Sequence, residues 1–203
     1  MSSLTTGALQ RVVQRASARR RDADEHCDLC GVPITSYHRH LLDTDAQGGD
    51  ARVLCACQGC SLLFVKEAAS RGHYRLVPQR RVRLHPLSTT ALGVPVGLAF
   101  FVPRDDGTVL AHYPSPAGAT QWEVDSQAWR DVVTACPTLS DLAPEVEALL
   151  VDTARDRRDY WLVPIDDCFR LVAVVRSEWR GLSGGSRVWP EIERFFDELT
   201  QTS

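Results

Sequence analysis

Four cysteines fall in two CxxC pairs, Cys27-Asp28-Leu29-Cys30 and Cys57-Gln58-Gly59-Cys60, with 26 residues between them. Each pair can close a short turn that presents two thiolates to one ion, and the spacer is long enough to form a hairpin between the turns. Tetrahedral coordination by four cysteines is the usual result, most often with zinc, so Cys27, Cys30, Cys57 and Cys60 are the candidate metal ligands. Mononuclear iron can occupy the same four thiolates. Gly31, directly after the first pair, suits a knuckle whose backbone must take a positive φ. Cys55 is a fifth thiol just ahead of the second pair; it faces away on its strand, or it exchanges with a ligand. His38 and His40 are two apart and share one face of a strand. They read as a second ligand set, as a lid over the sulfurs, or as packing histidines.

Other chemistry is weakly represented. Gly181-Leu182-Ser183-Gly184-Gly185 lacks the lysine and the strand-then-helix setting of a phosphate-binding loop. There is no GxSxG elbow and no HExxH helix. Cys136 or Cys168 with His85 or His112 would be the only route to a thiol hydrolase. Nothing local supports it, since a reactive cysteine needs an electropositive setting and Cys168 follows Asp166 and Asp167. Those two aspartates are adjacent, which suits turn chemistry better than a carboxylate pair. Arg71, Arg75, Arg80, Arg81 and Arg83 form a basic strip, read as a solvated face or a contact for phosphate or an acidic protein surface.

The elements that must position the thiols follow from periodicity. Residues 1 to about 22 suit a weakly amphipathic helix ending in the basic Arg19-Arg20-Arg21 run, or a solvated tail. Residues 23–66 carry the metal-binding ribbon, with strands at Tyr37–Leu42 and Arg52–Leu54 joined by the turn-forming Asp43–Asp50 loop. The apolar Ser61–Val65 stretch leads to a helical turn at Lys66–Ala69. Residues 67–203 read as an α+β domain. Strands are expected at Gly72–Pro78, at Pro95–Val102, and at Thr108–Tyr113 after an Asp105-Asp106-Gly107 hairpin turn. Pro114–Gly118 reads as a rigid loop. A helix capped by Ser126 should run from Gln127 to Ala135, a second should begin at Pro144-Glu145, and Tyr160–Ile165 with Phe169–Val175 should form a hairpin through Asp166–Cys168. The last helix opens at Trp189, with Ile192, Phe195, Phe196 and Leu199 on one face. The fold class expected is therefore α+β, an antiparallel sheet with packed helices, preceded by a small zinc-ribbon-like module built on four cysteines.

Composition bounds the setting. The chain has 203 residues, is 44% hydrophobic and 24% charged, and carries a net charge of −3. That is an ordinary globular balance, and the charge offers no general attraction to nucleic acid or an anionic membrane. No apolar run approaches the roughly 20 residues of a spanning helix. With no apolar signal core at the amino terminus, a cytoplasmic protein is expected, where clustered cysteines more often hold metal than form disulfides. The five tryptophans all lie in the last 82 residues; an exposed one would mark a partner surface.

A resemblance covers nearly the whole chain. It rests on Cys27-x-x-Cys30-Gly31, His38–Asp43, Leu54–Phe64 including Cys55, Gly72–Pro78, Tyr113–Pro116, Trp161–Cys168, Trp179–Leu182 and Gly184-Gly185. These segments resemble an uncharacterised bacterial family whose genes commonly sit in clusters for uptake [NiFe]-hydrogenases. The resemblance implies a role near hydrogenase assembly or electron transfer, with a hydrogenase subunit or maturation factor as partner. The reading this favours is an accessory protein with a structural zinc site that acts through protein–protein contacts and is not an enzyme. The alternative is a rubredoxin-like electron carrier with iron at the same four cysteines, from whose usual pattern Gln58, Gly59 and Ser61 depart. A nucleic-acid-binding ribbon is the weakest of the three, because the acidic net charge argues against it.

Overall fold

The computed structural model describes residues 25–44, 52–65, 73–94, 97–179 and 187–201. The basic stretch 1–22, the Lys66–Ala69 turn and the loop around Gly181, Gly184 and Gly185 lie outside the described residues. The chain divides into two compact units, Met1–Leu76 and Val77–Ser203.

In the first unit, β1 (Arg39–Asp43) is the central strand of a three-stranded antiparallel sheet, flanked by β2 (Arg52–Ala56) and β3 (Tyr74–Leu76). The division falls after Leu76 rather than at the 66/67 boundary read from the sequence. The reason is the pairing of Leu41 with Leu76 and of Asp43 with Tyr74, which ties β3 to the ribbon. One face of this sheet buries Leu41, Leu54 and Ala56 against Phe64, Tyr74 and Leu76. That is a very small core. A four-residue helix, α1 (Gln58–Ser61), and a 3-10 turn at Leu62–Phe64 follow β2.

The second unit is a six-stranded antiparallel sheet in the order β4-β9-β8-β5-β6-β7. Its strands are β4 (Val82–Arg83), β5 (Leu98–Pro103), β6 (Val109–Ser115), β7 (Gly118–Glu123), β8 (Glu147–Asp152) and β9 (Asp159–Pro164). Three α-helices accompany the sheet, α2 (Ser126–Ala135), α3 (Ile165–Glu178) and α4 (Val188–Gln201), with 3-10 turns at Thr90–Leu92, Pro137–Asp141 and Ala154–Asp156. Together the two units make the α+β class expected.

Alternation along the strands explains the layering. Ala99, Phe101, Leu149, Val151, Tyr160 and Leu162 join Val132 in one core, with Trp129 of α2 packed against it. The opposite set, which includes Phe100, Leu150 and Trp161, is equally buried. There α3 contacts β6, β7, β8 and β9, and α4 packs on α3 through the Ile192, Phe195, Phe196 and Leu199 face. The sheet is covered on both sides, so β5 and the middle of β8 are continuous apolar runs.

Several elements differ from their sequence reading. The helix expected from Pro144 is instead strand β8, entered through Glu145 at φ 67. Phe169–Val175 is not a returning strand; Asp166 and Asp167 occupy the acidic first turn of helix α3. Pro114 and Ser115 extend β6, and Gly118 opens β7, so the expected loop is a tight hairpin. Asp125, not Ser126, caps α2, its carboxylate accepting from the Gln127 and Ala128 amides.

Candidate metal centre

The first knuckle forms because its backbone closes on itself. The Gly31 amide donates to the Cys27 carbonyl at 2.8 Å, the Cys27 amide to Val32 at 2.9 Å, and the Ile34 amide to Glu25 at 3.0 Å. Gly31 sits at φ 73 with open space around it, so its hydrogen side chain answers backbone conformation rather than crowding. The second knuckle is the start of α1. Cys57 is its N-cap, and its sulfur accepts from the Cys60 amide at 3.4 Å.

These two turns bring the sulfurs of Cys27, Cys30, Cys57 and Cys60 within 4.8 Å of one another. The sulfurs of Cys30 and Cys57 are 3.8 Å apart. Four thiolates about 2.3 Å from a tetrahedral ion would be separated by about 3.8 Å, whereas a disulfide would bring two sulfurs to about 2.05 Å. The donor set therefore fits a thiophilic ion such as zinc or iron.

The electrostatics of Cys27 and Cys60 bear on the same question. Burial works against ionisation of Cys27. Hydrogen bonding from backbone groups of Cys57, Cys30 and Leu29, and from the Cys30 side chain, nevertheless holds it down to about 6. Cys60 is pushed up to about 12, first by hydrogen bonds to the side chains of Cys30 and Cys57, then by its surroundings, including the Cys27 charge. Cys27 ionises readily, whereas Cys60 keeps its proton chiefly to share it with the sulfurs beside it, the Cys27 charge adding to the effect. A bound cation would offset that charge and release the remaining protons. It would tie the two knuckles together.

Cys55 lies outside this group. Its sulfur is instead gathered with ring nitrogens of His38 and His40, again within 4.8 Å of one another. The register brings His40 opposite Cys55 across β1 and β2, and His38, just before β1, sets its ring edge-on against His40 at 4.7 Å. Burial raises the Cys55 thiol above its ordinary range, with Asp28, Glu25 and Cys27 adding to the effect. Asp28 was not singled out by the sequence. It grips the Cys55 backbone from both sides: its amide donates to the Cys55 carbonyl at 2.8 Å, and its carboxylate accepts from the Cys55 amide at 2.6 Å. An acidic residue inside a CxxC turn was the available signal, but its partner depends on docking against β2.

The remaining candidates are absorbed by the framework of the second unit. Arg80 forms a two-pronged pair with buried Glu147, both contacts at 2.7 Å, and Arg81 does the same with buried Asp167 at 2.6 and 3.1 Å. Arg83 reaches Asp159 at 3.0 Å. Arg80, Arg81 and Arg83 of the strip thus form ion pairs that bind the segment after Val77 to β8, β9 and α3, whereas Arg75 lies on β3 of the first unit and Arg71 lies outside the described residues. Cys168 is fully buried, and burial, then Asp167 and Asp166, raise its thiol far above the reactive range. His112 stacks on Phe100 at 4.7 Å and is held down to about 4 by burial and Arg104. A groove of about 690 Å3 lined by Leu87, Thr89, Val94, Trp122 and Tyr160, among others, has no carboxylate, histidine or cysteine among its described lining residues.

None of the five tryptophans is exposed. The exposed large apolar side chains are concentrated in the first unit: Leu29 and Val32 at the first knuckle, Tyr37, and Leu62, Leu63 and Val65 after the second. No described helix is long and apolar enough to cross a membrane. A sequence profile described as a family of unknown function (DUF5947) matches residues 26–203. Neither the curated proteins nor the solved structures contain a match to this chain.

Proposed function

The chain belongs to the family of unknown function DUF5947, and from that premise we propose that it is a cytosolic accessory protein whose four-cysteine site holds a structural zinc ion. Its task in this reading is to assist assembly or maturation of an uptake [NiFe]-hydrogenase through protein–protein contacts. The observation that carries the binding role is the exposure of Leu62, Leu63 and Val65, each more than 60% accessible, immediately after the second knuckle. Apolar side chains held out on a short, metal-clipped turn are suited to a partner's apolar surface, where their burial adds affinity. Leu29 and Val32 extend that character to the first knuckle. The hydrogenase assignment is supported by the sequence resemblance, not by the site's geometry.

Metal content and colour separate the structural-zinc reading from the electron-carrier alternative. Aerobically purified protein should be colourless and hold zinc that is lost on Cys27→Ser with Cys30→Ser. A red protein with iron released by the same substitutions would establish the carrier instead. Co-purification with a hydrogenase large subunit should fall at least about tenfold in Leu62→Ser with Leu63→Ser, with zinc retained. Undiminished capture by that variant would remove the exposed knuckle from the contact, and no capture by wild type would reject this partner.

A further inference from the structure

We propose that His38, His40 and Cys55 form a second metal site, distinct from the four-cysteine cluster. It would hold a late first-row divalent ion of the zinc class through three protein ligands, with a coordination position open to exchange.

The site is built by sheet register. His40 and Cys55 are cross-strand partners, and His38, just ahead of β1, brings its ring beside theirs. Their ligand atoms lie within 4.8 Å of one another. The Nε2 atoms of His38 and His40 are 3.0 Å apart. Two nitrogens bound at about 2.0–2.1 Å to a tetrahedral ion would stand about 3.3–3.4 Å apart, so a few tenths of an ångström of opening suffices.

The hydrogen bonds around the cluster set the donor atoms. His38 Nδ1 is 2.8 Å from the Thr35 carbonyl oxygen. A carbonyl only accepts, so that nitrogen carries the proton in the neutral ring, and the lone pair of Nε2 points into the cluster. The Glu25 carboxylate, 3.8 Å from the same Nδ1, adds an acidic outer partner. A carbonyl or carboxylate behind the non-ligating nitrogen is the arrangement that orients metal-binding histidines. On the other side, the Asp28 carboxylate holds the Cys55 amide. The two carboxylates offset the charge that an ion would bring.

Uptake balances simply. Without an ion, His40 Nε2–H donates to His38 Nε2; with one, the His40 proton moves to its own Nδ1, freeing the second lone pair. The Cys55 thiol forms the metal–sulfur bond and gives its proton to solvent, so one proton is released per divalent ion. Two imidazoles and one thiolate favour the zinc end of the first-row series over oxygen-loving magnesium or calcium. Three protein ligands leave room for water or an incoming donor, unlike a closed structural site. Asp28 also links the two sites, since the turn carrying Cys27 and Cys30 supplies the residue that holds the Cys55 backbone.

Cobalt(II) tests the site in the full chain. Protein is loaded with zinc at the four-cysteine cluster, freed of excess metal and titrated with Co2+. Wild type should take up one equivalent with no zinc release, giving a near-ultraviolet thiolate-to-cobalt band together with visible bands of low coordination number. Cys55→Ser and His38→Ala should each weaken cobalt binding at least about 100-fold, and Glu25→Gln at least about tenfold. His38 precedes β1, so its substitution leaves the β1–β2 ladder intact, and retained zinc reports that the ribbon remains folded. Uptake of no cobalt by wild type would overturn the proposal. So would zinc release matching cobalt uptake, or an unchanged thiolate band in Cys55→Ser.

Discussion

A side chain's environment decides its chemistry more than its type does, and the histidines of this chain illustrate it. His38 and His40 face each other across 3.0 Å with a carbonyl behind one ring. His112 lies flat on Phe100 at 4.7 Å, inside the second unit. Burial, with Arg104 contributing, holds His112 down to about 4. An unfolded histidine titrates near 6.5, so between about pH 6.5 and 4 the unfolded chain binds the proton that the folded chain refuses. Stability contributed by this residue is therefore full above about pH 6.5 and is lost as pH falls through that window. Buried Asp152, raised to about 6 chiefly by burial, works in the opposite sense, its proton being held more tightly by the folded chain. His112→Phe keeps the aromatic stack and removes the titration. Relative to wild type at the same pH, the variant should gain on the order of 1–2 kcal/mol between pH 6.5 and 4.5. Urea unfolding of the second unit at the two pH values measures this, and the comparison cancels Asp152.

At the scale of elements, what could be read from sequence depended on whether a strand had a solvent side. The ribbon knuckles, the Asp105–Gly107 hairpin and the amphipathic α4 carry local signals: fixed cysteine spacing, turn residues and a 3.6-residue apolar period. Strand β8 has no such signal. Ala148 to Val151 are buried on both sides of the sheet, so their apolar run does not distinguish strand from helix, and Pro144 tipped the reading towards a helix start. Asp166-Asp167 misled in the other direction, since acidic residues in a first helical turn resemble a turn between strands. The His38–His40–Cys55 cluster was half legible: the histidine spacing was visible, while the partner came from a register that only the paired strands define.

Gly97 shows an element held by close backbone approach. At φ 77, it begins the path into β5, and its carbonyl accepts from the Thr153 amide at 2.6 Å. A Cβ there would lie 2.5 Å from the Ala154 nitrogen and 2.8 Å from its Cα, both backbone atoms that cannot swing aside. Gly97→Ala should destabilise the second unit by about 2–5 kcal/mol, combining a left-handed backbone penalty with displacement of the chain after β8. Gly107→Ala is the control, because Gly107 has φ 83 with open space around it. It should cost only about 1–2 kcal/mol, read from the same denaturant midpoint.

For the whole molecule, the two units differ in what stabilises them. The second has a continuous core on both faces of a six-stranded sheet, from Phe101 and Leu149 on one side to Leu171 and Phe196 on the other. Among the described residues, the first buries Leu41, Leu42, Leu54 and Ala56 with Cys27, Ser61 and a few partly covered neighbours. So small an apolar core cannot offset the conformational entropy of ordering its strands, and domains of this size usually draw on a metal or a disulfide. None of the seven cysteines is in a disulfide. An ion across Cys27, Cys30, Cys57 and Cys60 would then supply folding free energy directly, so removing it should unfold one unit and spare the other. A strong chelator should strip amide-exchange protection from β1, β2 and β3 while leaving β5, β8 and β9 protected, and restoring zinc should recover it. The melting transition of the second unit should move by no more than a few degrees, since neither its sheet nor its Arg80–Glu147 and Arg81–Asp167 pairs involve the thiols. If β1 and β2 kept their protection after complete metal removal, the ribbon would be stabilised by its packing alone, and the four cysteines would not be the clip on which its fold depends.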